Sequence, residues 1–245
     1  RRGRMISKVL WFPINILQLL LLLVWTIFCG IFGMVFALVT NPTYSHRIMG
    51  YYIFSPMILA ISMVRVKAKG LNNILDEPAI YAANHASQLD IPIICTRVNR
   101  PLFFIGKIEL KKIPILSQYM KIVGMIFVDR KNRERAMASM RTAIQDIQGG
   151  KSIAAFPEGT RTKTGELLPF KKGVFTIAKE GRIPIVPIAV IGSAKALASG
   201  SFSLRPASVE IRILPALKGE QFFNMSIEEM ANHTRSLIQQ EIEKG

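Results

Sequence analysis

The sequence predicts an α/β fold: a mostly parallel central sheet flanked by helices, preceded by an N-terminal membrane-embedded helix hairpin. Three observations lead there. Seven short apolar runs, at about 63–68, 79–83, 102–105, 125–128, 152–156, 185–191 and 208–214, alternate with helical stretches, as in a sheet covered on both faces. The helices carry their own end signals. Residues 132–148 repeat Met137, Met140, Ile144 and Ile147 at three-four spacing and stop at Gly149-Gly150, while Ser226 and Glu229 form a capping box that opens a helix of about 226–244. Ahead of all these, no Asp, Glu, Lys or Arg occurs from Val9 to Ser45.

That uncharged run supplies the hairpin. Its core, Ile14 to Val39, holds more than the ~20 residues that cross a ~30 Å hydrocarbon layer. After His46-Arg47 a second uncharged run covers Ile48 to Val64, 17 residues and borderline by length, and Asn41-Pro42-Thr43 between the runs is a turn signal. Helices at roughly 9–39 and 43–63 are expected. The first is too long for the h-region of a signal peptide and ends without a small-x-small site, so a retained anchor is expected. Arg1, Arg2, Arg4 and Lys8 precede the hairpin and Arg65, Lys67 and Lys69 follow it, which places both ends on the cytoplasmic side. Two full spans, or a hairpin entering one leaflet, satisfy that rule equally. The expected organisation is a membrane-anchoring two-helix segment, 1–62, and an α/β domain, 63–245, large enough for one core.

Charge points to an anionic partner. Lys and Arg number 32 against 16 Asp and Glu, a net of +16. Lys107, Lys111, Lys112 and Lys121 alternate with Ile108, Leu110, Ile113, Ile115, Leu116, Tyr119, Met120 and Ile122, which predicts a surface helix with a cationic rim and an apolar underside at the headgroups. No RNA-binding signature or zinc-finger pattern accompanies the charge, so membrane lipid is expected and nucleic acid is not. Cys29 and Cys95 are too few for a metal cage and imply no disulfide, which fits a reducing compartment. His46 is expected in the hairpin turn and His233 in the C-terminal helix. Neither has the neighbours of a zinc site, so no metal and no cofactor are expected.

Two polar clusters carry the chemistry. In Asn84-His85-Ala86-Ser87-Gln88-Leu89-Asp90, a histidine precedes an aspartate by five residues, directly after the apolar run Ala79–Ala83. An imidazole takes protons near neutral pH, and a carboxylate on its second nitrogen fixes the tautomer. No G-x-S-x-G elbow accompanies the pair, so the hydroxyl activated by His85 is expected to come with the substrate. The second cluster, Phe156-Pro157-Glu158-Gly159-Thr160-Arg161, also follows an apolar run, and strand C-termini are where open α/β sheets place their sites.

With both clusters present the chain resembles the glycerophospholipid acyltransferases, and within them the bacterial 1-acyl-sn-glycerol-3-phosphate acyltransferases. Their N-H-x-x-x-x-D block is similar to Asn84-His85 through Asp90. A second block resembles Gly106-Lys107-Ile108-Glu109-Leu110 with Pro114, continuing to Gly124 through Arg130. A third is similar to Phe156 through Arg161, with Thr162 where the family usually has Ser. A fourth resembles Ile185-Val186-Pro187-Ile188-Ala189-Val190. The resemblance covers about residues 65 to 215. It implies transfer of a fatty acyl group from acyl-CoA or acyl-carrier protein to lysophosphatidic acid, giving phosphatidic acid.

Such a transfer needs a base for the hydroxyl, donors for the oxyanion and a cationic grip on phosphate. His85 is the expected base and Asp90 its orienter. A direct attack by the lipid hydroxyl needs no acyl-enzyme, so Ser87 is not the favoured nucleophile. Arg161 leads for the phosphate, with Gly159 and Thr160 offering N–H groups and a hydroxyl. Glu158 is expected to pair with Arg161 or to bind a glycerol hydroxyl. Lys107 and Arg130 are further cations of the substrate site, Lys107 towards the thioester oxygen. Lys171 and Lys172 read equally as anion contacts or a solvated face. Phe156 and Pro157 are expected to shape the turn and pack. Other readings are an acyltransferase for another lysophospholipid or phosphate-bearing acceptor, and a non-enzymatic module binding anionic membranes.

Overall fold

The computed structural model describes residues 2–129 and 131–245. In chain order the elements are α1 (Arg2–Val39), α2 (Pro42–His46), a π-helical stretch (Arg47–Phe54), α3 (Ser55–Ile61), β1 (Val64–Lys69), β2 (Ile80–Ala83), α4 (Asp90–Arg97), β3 (Leu102–Lys107), a 3₁₀ turn (Ile108–Lys112) and α5 (Leu116–Ile122). Then follow β4 (Ile126–Val128), α6 (Arg133–Gln148), β5 (Ser152–Ala155), α7 (Gly173–Gly181), β6 (Ile185–Ile191), α8 (Ser193–Ala196), β7 (Ala207–Ile213), α9 (Glu220–Asn224) and α10 (Ile227–Glu243).

The seven strands form one sheet in the order β1-β7-β6-β2-β5-β3-β4. Every pair is parallel except β6 with β7, so the mostly parallel sheet read from the alternation is the one observed. Along β2 the side chains divide between two cores, as the two-residue strand period requires. Tyr81 and Ala83 pack towards Ile93 and Ile94 of α4 and the N-terminal helices, while Ile80 and Ala82 pack towards Ala143 of α6, Phe175 of α7 and Met230 of α10. The helix after β2 therefore covers one face and the helix after β5 the other. Ser226 caps α10 as its spacing predicts: its side chain accepts from Glu229 N–H at 3.1 Å, and the Glu229 carboxylate accepts from Ser226 N–H at 2.7 Å.

The second leg of the hairpin departs from a simple apolar helix. Among the described residues, Trp11–Val39 is the one helix long and apolar enough to cross a membrane. The second leg runs α2, π-stretch, α3, and buries Ser45, His46, Met49, Tyr51 and Ser55. Gly50 and Pro56 set this register. The Ser55 N–H and hydroxyl both donate to the Gly50 carbonyl, the hydroxyl at 2.5 Å, and Pro56 has no N–H to continue the α-ladder. His46 is not in the turn but buried at the end of α2, where Nε2 lies 3.0 Å from the Leu102 carbonyl, and burial pushes its pKa down.

α1 is docked on the α/β unit along one face. Asn15 Nδ2 donates to the Leu204 carbonyl at 3.0 Å and Gln18 Nε2 to that of Ile61 at 2.8 Å. Leu19, Leu22 and Trp25 pack on the α4-side core, and Gly30 and Gly33 bring the helix against Ile115 and Tyr119. The opposite face, with Phe12, Leu17, Val24, Phe28 and Leu38, is exposed. This docking replaces the surface helix expected around Lys107–Ile122. Lys107 ends β3, and after the 3₁₀ turn Pro114 and Ile115, at φ +64°, break the chain before α5. The apolar underside of α5 then rests on α1 rather than facing outward.

Candidate active site

β2 and β5 are adjacent and parallel, yet the chain leaves their C-terminal ends towards opposite faces of the sheet. That divergence makes the C-terminal ends of β2 and β5 the switch point, where open α/β sheets bind ligands. The first cluster is the loop after β2, and the second is the loop after β5. Chain order hides their proximity, because β5 inserts between β2 and β3.

Asn84 closes the end of β2. Its amide donates to the Val190 carbonyl at 2.9 Å and accepts from Val190 N–H at 2.7 Å, continuing the ladder to β6 with a side chain. The next residue, His85, can then turn out of the sheet. Its Nδ1 lies 2.8 Å from Asp90 Oδ2, which also accepts the N–H groups of Ala86 and Ser87 at 2.8 Å each. Asp90 is fully buried and is the first residue of α4, where the helix dipole favours a carboxylate. A carboxylate can only accept, so Nδ1 carries the proton and Nε2 is the basic nitrogen. Among the described residues, nothing hydrogen-bonds His85 Nε2. Ser87 is buried, and its hydroxyl accepts from Leu89 N–H at 3.1 Å, a turn contact.

Glu158 does something the sequence did not suggest. Oε1 accepts from the His85 backbone N–H at 2.6 Å and Oε2 from that of Leu168 at 2.9 Å. The side chain is buried, and burial pushes its pKa up, opposed by those two N–H groups and by His85. Its oxygens are therefore held by backbone, and among the described residues it forms no ion pair with Arg161. Thr162 N–H donates to the His85 carbonyl at 2.9 Å. Both backbone groups of His85 are thus bound by the second loop, and Arg161 stands one residue from that contact.

The expected substrate groups divide accordingly. Arg161 is half-buried, and no carboxylate pairs with it among the described residues. Thr160 is exposed beside it. The Gly159 N–H donates to the Phe156 carbonyl at 2.9 Å, so the glycine serves the turn, at φ +74°, rather than offering that N–H to a ligand. Carrying the strand register forward sets exposed Lys107 level with Asn84, two strands over and about 10 Å away. Arg130 lies outside the described residues. Lys172 forms an exposed pair with Glu228 of α10 at 2.9 Å, and Lys171 is exposed.

Sequence reasoning missed the role of Phe156. Its ring stacks on His85 with centroids 3.9 Å apart and planes 13° from parallel, and Phe104 stacks with it at 6.2 Å. The one available signal was an aromatic residue directly after a strand at the site edge. Among the described residues, no group of three His, Cys, Asp or Glu side chains could hold a metal.

Comparison with known proteins places this geometry. Among curated proteins the chain is similar to the 1-acyl-sn-glycerol-3-phosphate acyltransferase of Saccharomyces cerevisiae, 31% identical over 84% of this chain and 70% of the relative. It is also similar to that of Escherichia coli K12, 27% identical over 93% of this chain and 92% of the relative. Against the protein of that name from Cocos nucifera, 35% identical, it spans about half the relative, 51%. Its fold matches the crystal structure of the 1-acyl-sn-glycerophosphate (LPA) acyltransferase, PlsC, from Thermotoga maritima, with a TM-score of 0.83 and 26% identity over 97% of this chain and 96% of that one. Residues 65–191, more than half of the chain, match the family model described as Acyltransferase. That span opens in β1 and closes with β6, so it contains both motif loops and the strands that aim them, and the chain belongs to the acyltransferase family.

Proposed function

We propose that the protein transfers a fatty acyl group from acyl-CoA or acyl-carrier protein to the sn-2 hydroxyl of 1-acyl-sn-glycerol 3-phosphate, giving phosphatidic acid for phospholipid biosynthesis. The observation that carries this reading is the 2.8 Å contact between His85 Nδ1 and buried Asp90, which leaves Nε2 as the base at the switch point. Nε2 takes the proton of the lipid hydroxyl while its oxygen attacks the thioester carbon. The tetrahedral intermediate then collapses, the C–S bond breaks, and the imidazolium returns its proton to the departing thiolate. The acyl group passes directly between substrates, in keeping with the turn contact that occupies the Ser87 hydroxyl. Hydroxyl, thioester and imidazole account for every bond formed and broken, so the transfer calls for no metal or cofactor.

Arg161 binds the acceptor's phosphate, its planar guanidinium suited to bidentate contact, with the Thr160 hydroxyl beside it. Lys107 serves the donor side of the switch point. The protein sits at a membrane, with the exposed face of α1 in lipid and the α/β unit on the cytoplasmic side. Its docked face, from Asn15 to Gly33, runs about 27 Å along the domain at 1.5 Å per residue, which favours a helix lying against one leaflet.

The test is transfer by purified protein in detergent, supplied with 1-acyl-sn-glycerol 3-phosphate and each donor in turn, with phosphatidic acid read by mass spectrometry. Activity should fall by about 10²- to 10⁴-fold in His85→Ala. No transfer by folded protein with either donor, or undiminished transfer in the variant, overturns the reading.

A further inference from the structure

We propose that Phe156 is a positioning residue that stabilises the imidazolium of His85 through its ring face. The inference rests on the reading of His85 as the proton acceptor, and it assigns Phe156 a role beyond packing in the turn after β5.

Aromatic pairs carry like-signed quadrupoles on their faces and prefer offset or edge-to-face arrangements to a face-centred sandwich. Here the centroids are 3.9 Å apart and the planes 13° from parallel, so the phenyl presents its face to the imidazole. Such a stack strengthens when one ring is a cation, because the negative face of the phenyl then meets positive charge. His85 carries that charge only between taking the hydroxyl proton and returning it to the thiolate. The stack is thus more favourable in the intermediate than in the resting enzyme, which is the condition for an interaction to raise kcat.

The surroundings hold this arrangement in place. Phe156 also stacks with Phe104, with centroids at 6.2 Å and planes 27° apart. His85 is fixed through its backbone by Glu158 and Thr162 and through Nδ1 by Asp90. Asp90 meets the imidazole in its plane and Phe156 from above, so the two stabilise the same charge from perpendicular directions. Little of the imidazole is open to water, with 16% of its side chain exposed, and partial desolvation strengthens a cation–π contact.

Packing and electrostatics separate in a fluorination series at position 156. Incorporation of 4-fluoro-, 3,5-difluoro- and 3,4,5-trifluorophenylalanine drains the ring face of negative charge while scarcely changing its volume. The expected result is a stepwise fall in kcat along the series, reaching roughly 3- to 30-fold, with the acceptor KM unchanged. Phe156→Leu should show a loss in the same range, and Phe156→Trp should retain most of the activity. An equal kcat for all fluorinated proteins overturns the proposal even if Phe156→Leu is slow, because the ring would then act by shape alone. A wild-type protein without transfer activity fails the proposed function instead, so the two failures are distinguishable.

Discussion

The Glu158 carboxylate receives the backbone N–H of His85 at 2.6 Å, so the second motif loop sets the position of the first. Its other oxygen receives Leu168 N–H at 2.9 Å and closes the loop that carries Arg161. Glu158→Ala would leave two part-buried N–H groups without this acceptor, at up to about 1–3 kcal/mol each. The expected outcome is a lower melting temperature in detergent together with a loss of kcat. Glu158→Gln keeps one good acceptor and should be milder on both measures. If Glu158 instead gripped the lipid, Gln would raise the acceptor KM and leave the melting temperature where it was.

The same burial makes Glu158 a source of pH dependence. Its pKa is raised from the ordinary 4.5 in the folded protein, so the folded state holds this proton more tightly than the unfolded chain. The contribution to stability is complete below the ordinary carboxylate range and is lost as pH rises through the elevated folded value. Denaturant titrations in detergent at a series of pH values should show the wild type losing stability relative to Glu158→Gln as pH climbs above about 4.5. A difference that stays flat across that window would show that the two backbone donors fully offset the burial.

Asp90→Asn tests the orienter without emptying its site. The amide oxygen can still accept from Ala86 and Ser87, whose N–H groups both reach Asp90 Oδ2 at 2.8 Å, so the turn should survive. What is lost is the negative charge that holds the proton on Nδ1. We expect kcat to fall by about 10²- to 10⁴-fold, with the acceptor KM little changed and the melting temperature lowered by only a few degrees. A variant with wild-type kcat would remove Asp90 from the chemistry.

How much of this site could be read beforehand follows from what kind of contact each residue makes. His85 and Asp90 meet within one loop, five residues apart, so spacing put them within reach of each other and the family resemblance gave the pair its roles. The partners of Glu158 are main-chain N–H groups of His85 and Leu168, and residue identity says nothing about which backbone groups a distant fold presents. Its expected pairing with Arg161 followed sequence proximity and failed for that reason. The stack of Phe156 on His85 required knowing that β5 lies beside β2, and chain order places β3 and β4 between them. In the fold, the seven strands announced themselves through their apolar runs. One surface helix over Lys107–Ile122 does not form, because Pro114 and the positive φ of Ile115 interrupt the chain between the 3₁₀ turn and α5.

Arg161 is the position where substrate binding and chemistry should come apart. Replacement by Lys keeps the charge but loses the bidentate fork, and replacement by Ala removes both. Initial rates across acceptor concentrations should give a KM that rises in Lys and rises further in Ala, with kcat changed far less than in the Asp90 variant. An unchanged KM in both variants would take Arg161 out of the phosphate site.

Gly33 distinguishes a docked helix from one that leaves the domain. A Cβ at this position would meet the Tyr119 ring at 2.6 Å, and one at Gly30 would meet Ile115 at 2.7 Å. Alanine is a better helix former than glycine by about 1 kcal/mol, so in a helix surrounded by lipid Gly33→Ala would be neutral or stabilising. Against Tyr119 the added methyl forces α1 and α5 apart, at about 1–3 kcal/mol, and this outweighs the propensity gain. The expected result is a lower melting temperature for Gly33→Ala in detergent, with Val35→Ala on the exposed face, where Val35 is 54% accessible, as the control with little effect. A midpoint that stays level or rises in Gly33→Ala would mean that α1 does not rest on α5 in solution. A helix lying along the domain against one leaflet would then be excluded.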